Sequence, residues 1–275
     1  MSSLQQHRDD HGVVTLTLDR PEVHNAFDDA LIGDLCDTLS TLEEDPSARV
    51  VILTGAGRSF SAGADLNWMR GMLEASEQDN ENDALQLARL LRTLNYLPQP
   101  TIARVNGAAM GGGLGLVACC DIAVADEHAR FALSETRLGL APAVISPYVV
   151  RRIGEAQARR YFLTGERFDA VQAHRIGLVH EIANPGDLDD QVRRLAAALL
   201  AGGPEAVTSS KKLVFLAGGH DPDTQLSQDQ ATARLIARLR VGAEGQEGMR
   251  AFLEKRAPAW KQRGQKQRGQ SQGSE

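Results

Sequence analysis

Cysteine is scarce. Only Cys36, Cys119 and Cys120 occur in 275 residues, an odd count with two adjacent, so no disulfide framework is laid out. There is no CxxC pair and no H-E-x-x-H, so no metal spacing is present. Cys119 and Cys120 read as small core residues of a reducing, cytoplasmic protein. No run of about 18 apolar residues exists, so no transmembrane helix is expected. The opening MSSLQQHRDDHG mixes both charge signs around no apolar centre, so no secretory signal is expected there. Excess basic charge is missing too. The net charge of −6 leaves no global field to recruit nucleic acid or a membrane surface. No G-x-S-x-G elbow surrounds Ser59, Ser61 or Ser134, and neither His174 nor His180 sits in a motif suggesting a Ser/His pair.

What is present is a chain with 42% hydrophobic residues, enough for a sizeable core in an α/β domain with an appendage. VVTLTL (13–18) alternates as a half-buried strand does. Asp28 or Asp29 then caps a helix whose Leu31, Leu35, Leu39 and Leu42 share one face. VVILT (50–54) is continuously apolar, as in a strand buried on both faces. A small-residue loop (54–63) follows, and a helix is expected to start near Asp65. The polar stretch 71–80 reads as mobile. Leu85 to Leu97 is leucine-rich at helical spacing, and strands are expected at 101–105 and 121–125. The order β-α-β-α-β-α-β argues for parallel strands with helices outside. Beyond Ala141 the pattern is mostly helical: 155–164, 169–176, 187–201, 204–216, 222–240 and 243–257, with 177–179 a brief extended piece.

The stretch NGAAMGGGLGL (106–116) organises the rest. Glycines between a strand and a helix let a ligand approach the backbone, and a helix start leaves N–H groups unpaired. Such groups suit a phosphate, a carboxylate or an enolate oxygen. A tight turn between a closely packed strand and helix is the plainer reading, and glycines alone do not separate the two. A dinucleotide fingerprint can be drawn over Gly113, Gly115 and Ala118. It fails because a whole strand and turn intervene before the acidic Glu135.

Several pieces together carry more. DRPEVHNAF (19–27), SFSAGADL (59–66), VNGAAMGGGLGL (105–116), CDIAVA (120–125), FALSETRLGLAP (131–142), LTGERFDAVQAHRIGLV (163–179) and EGQEGMRAFLEKRAPAW (244–260) occur in that order. The chain resembles the crotonase, or enoyl-CoA hydratase/isomerase, superfamily. The resemblance implies an α/β fold, a crotonase-like spiral of ββα units over 1–201. A helical trimerisation region (202–260) and a disordered basic tail (261–275) would follow. It also implies a homotrimer or dimer of trimers, an acyl-CoA substrate, and no partner of nucleic acid or membrane. No cofactor or metal is implied, since coenzyme A enters as part of the substrate.

By motif position, the N–H groups of Ala64 and Gly112 would bind the thioester oxygen. Ala62, Ala64, Asp65, Leu66 and Asn67 would line the CoA arm, with Asn25 and Ala26 nearby. From its own chemistry Asp65 reads as a helix N-cap. Family hydratases use two glutamates. One position holds Gly115 here; the other holds Glu135, which the resemblance makes the catalytic carboxylate and which is otherwise a surface acid. The run 133–168 is similar to bacterial 3-methylglutaconyl-CoA hydratases of leucine breakdown and to isohexenylglutaconyl-CoA hydratases of acyclic terpene breakdown. Both commonly carry glycine where Gly115 stands. The function expected is hydration of a 3-branched 2-enoyl-CoA. A double-bond isomerase, and a non-enzymatic acyl-CoA or RNA-binding member, are the alternatives. A glutaconyl substrate ends in a carboxylate, for which Arg137, Arg151 and Arg152 are candidates; each could equally be a solvated surface charge.

Overall fold

The computed structural model describes residues 3–184 and 186–261. The expected basic tail lies outside the described residues, apart from Lys261.

Strands β1 (Leu4–Arg8) and β2 (Val13–Leu18) form an antiparallel hairpin. A 3-10 turn (Pro21–Val23) leads to α1 (Asp29–Glu43). Asp28 caps α1 by accepting the Leu31 N–H, and Leu31, Leu35, Leu39 and Leu42 are all buried as the spacing demands. Each such leucine contributes roughly 1.5–3 kcal/mol by leaving water.

Three similar units follow. Strands β3 (Val50–Gly55) and β4 (Ser59–Ser61) lead to α2 (Leu66–Glu74) and α3 (Glu77–Tyr96). Strands β5 (Thr101–Val105) and β6 (Ala108–Met110) lead to α4 (Gly112–Cys119). Strands β7 (Ile122–Asp126) and β8 (Arg130–Ala132) lead through a 3-10 turn (Glu135–Leu138) to α5 (Ser146–Thr164). Next come β9 (Arg167–Asp169), α6 (Ala170–Arg175), β10 (Glu181–Ala183) and four helices: α7 (Leu188–Leu200), α8 (Pro204–Ala217), α9 (Pro222–Val241) and α10 (Ala243–Leu253).

The long strands make a six-stranded sheet in the order β1-β2-β3-β5-β7-β10, parallel from β2 onward. The short strands make a second sheet, β4-β6-β8-β9, parallel except for the β8–β9 pair. Each unit therefore gives one strand to each sheet before its helix, which is the ββα spiral expected. Between the sheets and helices lies one apolar core, and a smaller cluster packs under α7.

Three local expectations need correction. Residues 71–80 are helical, not mobile: α2 runs to Glu74, and Ser76 caps α3 by accepting the Asp79 N–H. Buried Asn80 ties the break by donating to the carbonyls of Met72 (3.1 Å) and Ser76 (3.1 Å). Helix α5 starts at Ser146, not near 155. Gly154, at φ 74°, breaks it midway, so only the second half has an unbroken pattern. The extended piece expected at 177–179 is a turn, and the strand is β10, two residues further on.

The C-terminal helices fold back on the spiral. Helix α9 packs along α3, and α10 packs on α2 and on the 3-10 turn that carries Glu135. Buried Arg240 of α9 bonds Asp83 of α3 at 2.8 Å, with its guanidinium 6.0 Å from the Trp68 ring centre. Among the described residues no helix is long and apolar enough to cross a membrane, and no group of three or more His, Cys, Asp or Glu could hold a metal ion.

Candidate active site

The site forms where three neighbouring parallel strands end. β4 pairs with β6 and β6 with β8, so the segments after Ser61, Met110 and Ala132 leave the second sheet side by side. These segments carry Ala64, Gly112 and Glu135.

Phe27 sets the first of them. Its N–H donates to Gly63 O (2.6 Å) and its carbonyl accepts from Asp65 N–H (2.8 Å). The parallel bridge so formed turns the Ala64 N–H the other way, and that group has no hydrogen-bond partner among the described residues. The same bridge alternates exposure: Ala62, Ala64 and Leu66 face solvent, while Gly63 and Asp65 face inward. The Phe27 ring lies against Gly112, where an added Cβ would come within 2.7 Å of its Cε2. Gly112 is the first residue of α4, and its N–H is likewise unpartnered within the described chain. Phe27 thus joins the two unpaired donors, one through its backbone and one through its ring.

Asp65 is the N-cap of α2, as its chemistry predicts, accepting from Asn67 N–H at 2.7 Å. Arg20 holds it from below at 3.0 Å and also bonds Asp28 at 2.8 Å. Leu66 and Asn67 are exposed on the first turn of α2, beside Ala64. Ala26 is buried, and its carbonyl accepts from Arg20 at 2.7 Å. The Asn25 side chain is fully buried. Its amide donates to Ala56 O and Ser59 O and accepts the Arg20 N–H, so it staples this corner. With all its hydrogen bonds internal, it is left only backbone and shape to offer a ligand.

Glu135 opens the 3-10 turn after β8. Its Oε1 lies 3.2 Å from where a Cβ on Gly111 would stand, so the carboxyl sits against the residue preceding Gly112. Gly111 has φ 49° and ψ −117°, a conformation that an L side chain rarely adopts. Although Glu135 as a residue is partly exposed, Oε2 is sealed from solvent with no hydrogen-bond partner among the described residues. Burial pushes its pKa up to about 7, opposed only by a hydrogen bond from its own backbone N–H. A carboxyl poised there can take and return a proton near neutral pH.

The place a second carboxylate would need is full. A Cβ on Gly115 would fall 2.5 Å from Ile145 Cγ2 and 3.6 Å from Leu91 Cδ2. Ile145 was not singled out from sequence, and nothing local signals it, since it lies 30 positions away. Phe27 lay within a quoted motif without a role. Arg151 and Arg152 do not join this site. Arg152 bonds the carbonyls of Leu178, Cys120 and Asp121, and Arg151 bonds Pro147 O, the Tyr96 hydroxyl and Gln225. Both line a cavity at the far end of α4, where Arg152 meets carbonyls that follow the helix. Arg137 stays near, two residues after Glu135, exposed and leaning on the Gly165 turn.

Two unpaired N–H groups and one sealed carboxyl, brought together by a spiral of ββα units, suit an enzyme that holds a carbonyl while a proton moves beside it. The comparisons with known proteins agree. The profile of the enoyl-CoA hydratase/isomerase family matches residues 8–264, and the chain belongs to that family. The 2,3-dehydroadipyl-CoA hydratase of Escherichia coli is 36% identical, covering 91% of this chain and 96% of its own. The mevalonyl-coenzyme A hydratase of Aspergillus fumigatus is 36% identical, covering 90% and 91%. A crystal structure of an enoyl-CoA hydratase from Shewanella pealeana is 44% identical and superposes with a TM-score of 0.76, covering 94% of this chain and 96% of that one. The chain is accordingly an enzyme of the hydratase type with an acyl-CoA substrate.

Proposed function

We propose that the enzyme adds water across the 2,3 double bond of a 3-branched 2-enoyl-CoA, 3-methylglutaconyl-CoA, giving 3-hydroxy-3-methylglutaryl-CoA. The observation that carries this reading is the single sealed carboxyl of Glu135 beside unpaired N–H groups, with an isoleucine where a second carboxylate would stand.

The Ala64 and Gly112 N–H groups hold the thioester oxygen. Glu135 takes a proton from water as the water oxygen bonds to C3. The C2=C3 π pair moves toward C1, and negative charge collects on the thioester oxygen. The two donors are already in place, so they bind that charge more tightly than the neutral carbonyl, worth about 3–4 kcal/mol each in comparable sites. Glu135 then returns the proton to C2. One carboxyl serves as base and then acid, which a pKa near 7 permits at neutral pH. Coenzyme A lies along the exposed Ala62, Ala64, Leu66 and Asn67 edge, and no other cofactor is required.

Ile145 and Leu91 are buried and fill the space beside Gly115 with methyl groups, leaving no room there for a second carboxylate. The branched, dicarboxylic acyl group is supported by two relatives. A mevalonyl group is branched at C3, and a dehydroadipyl group ends in a carboxylate, so relatives at this identity handle each feature. Of Arg137, Arg151 and Arg152, Arg137 is the one left for the distal carboxylate. A trimer or dimer of trimers is proposed on the exposed Leu213, Val214 and Leu216 of α8, an apolar face with no cover in the single chain.

Isomerisation of the double bond is the second reading, favoured by the same isoleucine: moving a proton between carbons requires one carboxyl and no activated water. Turnover of 3-methylglutaconyl-CoA in oxygen-18 water separates them. Label at C3 of the hydroxy product is expected. A shifted double bond without label establishes the isomerase, and no turnover of this substrate while crotonyl-CoA reacts overturns the branched assignment.

A further inference from the structure

The far end of α4 opens on a second cavity, of about 730 Å³. It lies between α8 and the spiral. Helix α4 has eight residues, so the cavity is roughly 12 Å along its axis from Gly112. None of Glu135, Ala64 or Gly112 lines it.

Two features of its wall are unexplained by the fold. The Tyr148 hydroxyl and the Asn95 Nδ2 are both buried, in residues 1% and 8% exposed, and neither has a hydrogen-bond partner among the described residues. An orphaned buried polar group costs about 1–3 kcal/mol, so two on one cavity wall are a standing cost unless something fills it. The charges agree in sign. Arg151, Arg152 and Lys211 line the cavity, against one carboxylate, Asp121, which Lys211 already pairs at 2.8 Å. Asp229, behind Tyr148, is paired with Arg92. Arg151 bonds through Nε, Nη1 and Nη2 to one acceptor each, three of its five donors, and Lys211 uses two of its three. The remaining wall is apolar, with Leu199, Val207, Val214 and Phe215.

We propose that this cavity is a second ligand site, separate from the thioester site, that takes a small amphipathic carboxylate: an acid head toward Tyr148, Asn95 and Arg151, and an aliphatic body along α8. Its volume falls within the range of small-molecule sites. A cationic ligand is excluded by the like charges, and the Lys/Arg-containing C-terminal tail carries the wrong sign to occupy it.

The test is calorimetric titration of the full-length assembled protein with octanoate, octylamine and 1-octanol. Octanoate is expected to bind once per chain and tightest of the three. Saturation with butyryl-CoA is expected not to displace it. Tyr148→Phe is expected to weaken octanoate about tenfold or more, the loss of a hydrogen bond to a charged group. The same change removes an orphaned hydroxyl, so the melting temperature of the free protein does not fall. Ala206→Trp, at an exposed position on the cavity edge that is not among the proposed contact residues, is expected to block binding without touching the core. Displacement by butyryl-CoA overturns the proposal, because the octanoate is then in the acyl site. Equal binding of octylamine, unchanged affinity in both variants, or no binding because another copy fills the cavity also overturns it.

Discussion

Gly115 is where sequence and structure meet most sharply, and alanine there tests the packing with one atom. Inside a helix, alanine is ordinarily better than glycine by about 0.8–1.0 kcal/mol. Here the new Cβ would stand 2.5 Å from Ile145 Cγ2 and 3.1 Å from Ile145 Cβ. Ordinary carbon contact is about 3.5–4.0 Å, so the first distance is short by roughly 1 Å or more. Overpacking of this kind costs about 1–3 kcal/mol. Gly115→Ala is therefore expected to destabilise the native chain, by up to about 2 kcal/mol net.

The sign reverses when the obstacle is removed. Ile145→Ala alone costs about 2–5 kcal/mol, as large-to-small core changes do. It also deletes the Cγ2 that blocks Gly115. Gly115→Ala added to Ile145→Ala is then expected to stabilise by up to about 1 kcal/mol, the helix-propensity gain. The coupling between the two positions, about 1–3 kcal/mol, is read from urea midpoints of the four proteins at a common slope. If Gly115→Ala raises the midpoint in both backgrounds, Ile145 does not fill this space. The account of the missing carboxylate then fails with it.

Glu135→Gln is expected to lower kcat by about 10²–10⁴-fold in steady-state assays while acyl-CoA still binds. In the native enzyme kcat/KM should fall as pH drops through about 7, because Glu135, the proposed base, must be ionised to take a proton. Stability runs the other way. The folded pKa is raised above the unfolded value, so the group's contribution is fully present below about 4.5 and is lost as pH rises through about 7. Glu135→Gln should thus match the native chain in urea stability at pH 4.5 and exceed it by about 3 kcal/mol at pH 8. Arg240→Met leaves the half-buried Asp83 without its cation and should cost about 1.5–3 kcal/mol; Asp83→Asn in addition should restore part of it in the same denaturation assay. Leu213→Glu with Leu216→Glu, on the exposed face of α8, should reduce the sedimentation coefficient to that of a single chain if this face joins the copies.

How much of this was legible in the sequence depended on element length. Four strands of the six-stranded sheet, β2, β3, β5 and β7, were visible because runs such as the alternating 13–18 and the apolar 50–54 carry their own pattern. β1 was not anticipated, and β10 lies beyond the piece expected at 177–179. The strands of the second sheet were not visible either. β4, β6 and β8 have three residues each, too few for any period to appear, and β4 fell inside what reads as a loop of small residues. Yet the second sheet sets the site. Its three parallel strands bring Ala64, Gly112 and Glu135 together from positions far apart in the chain. Motif resemblance could name those residues but not the register that gathers them.

The same limit explains Ile145 and the two arginines. A glycine at 115 announces a missing side chain; it cannot announce what occupies the vacated volume, because that is decided by the approach of α5 across α4. Arg151 and Arg152 looked like free cations beside a catalytic motif, since the sequence shows charge without direction. The carbonyls of Cys120, Asp121 and Leu178 fix that direction for Arg152, and Pro147 O, the Tyr96 hydroxyl and Gln225 fix it for Arg151, in both cases away from Glu135. Of the three candidate arginines this leaves Arg137, on the same turn as Glu135, for the second carboxylate of the proposed substrate. Arg137→Ala should accordingly raise KM for 3-methylglutaconyl-CoA about tenfold or more while leaving KM for crotonyl-CoA unchanged, because only the first substrate has a second carboxylate to lose. An equal rise for both would assign Arg137 to the coenzyme A arm or to the turn itself, and would remove it as the partner of a distal carboxylate.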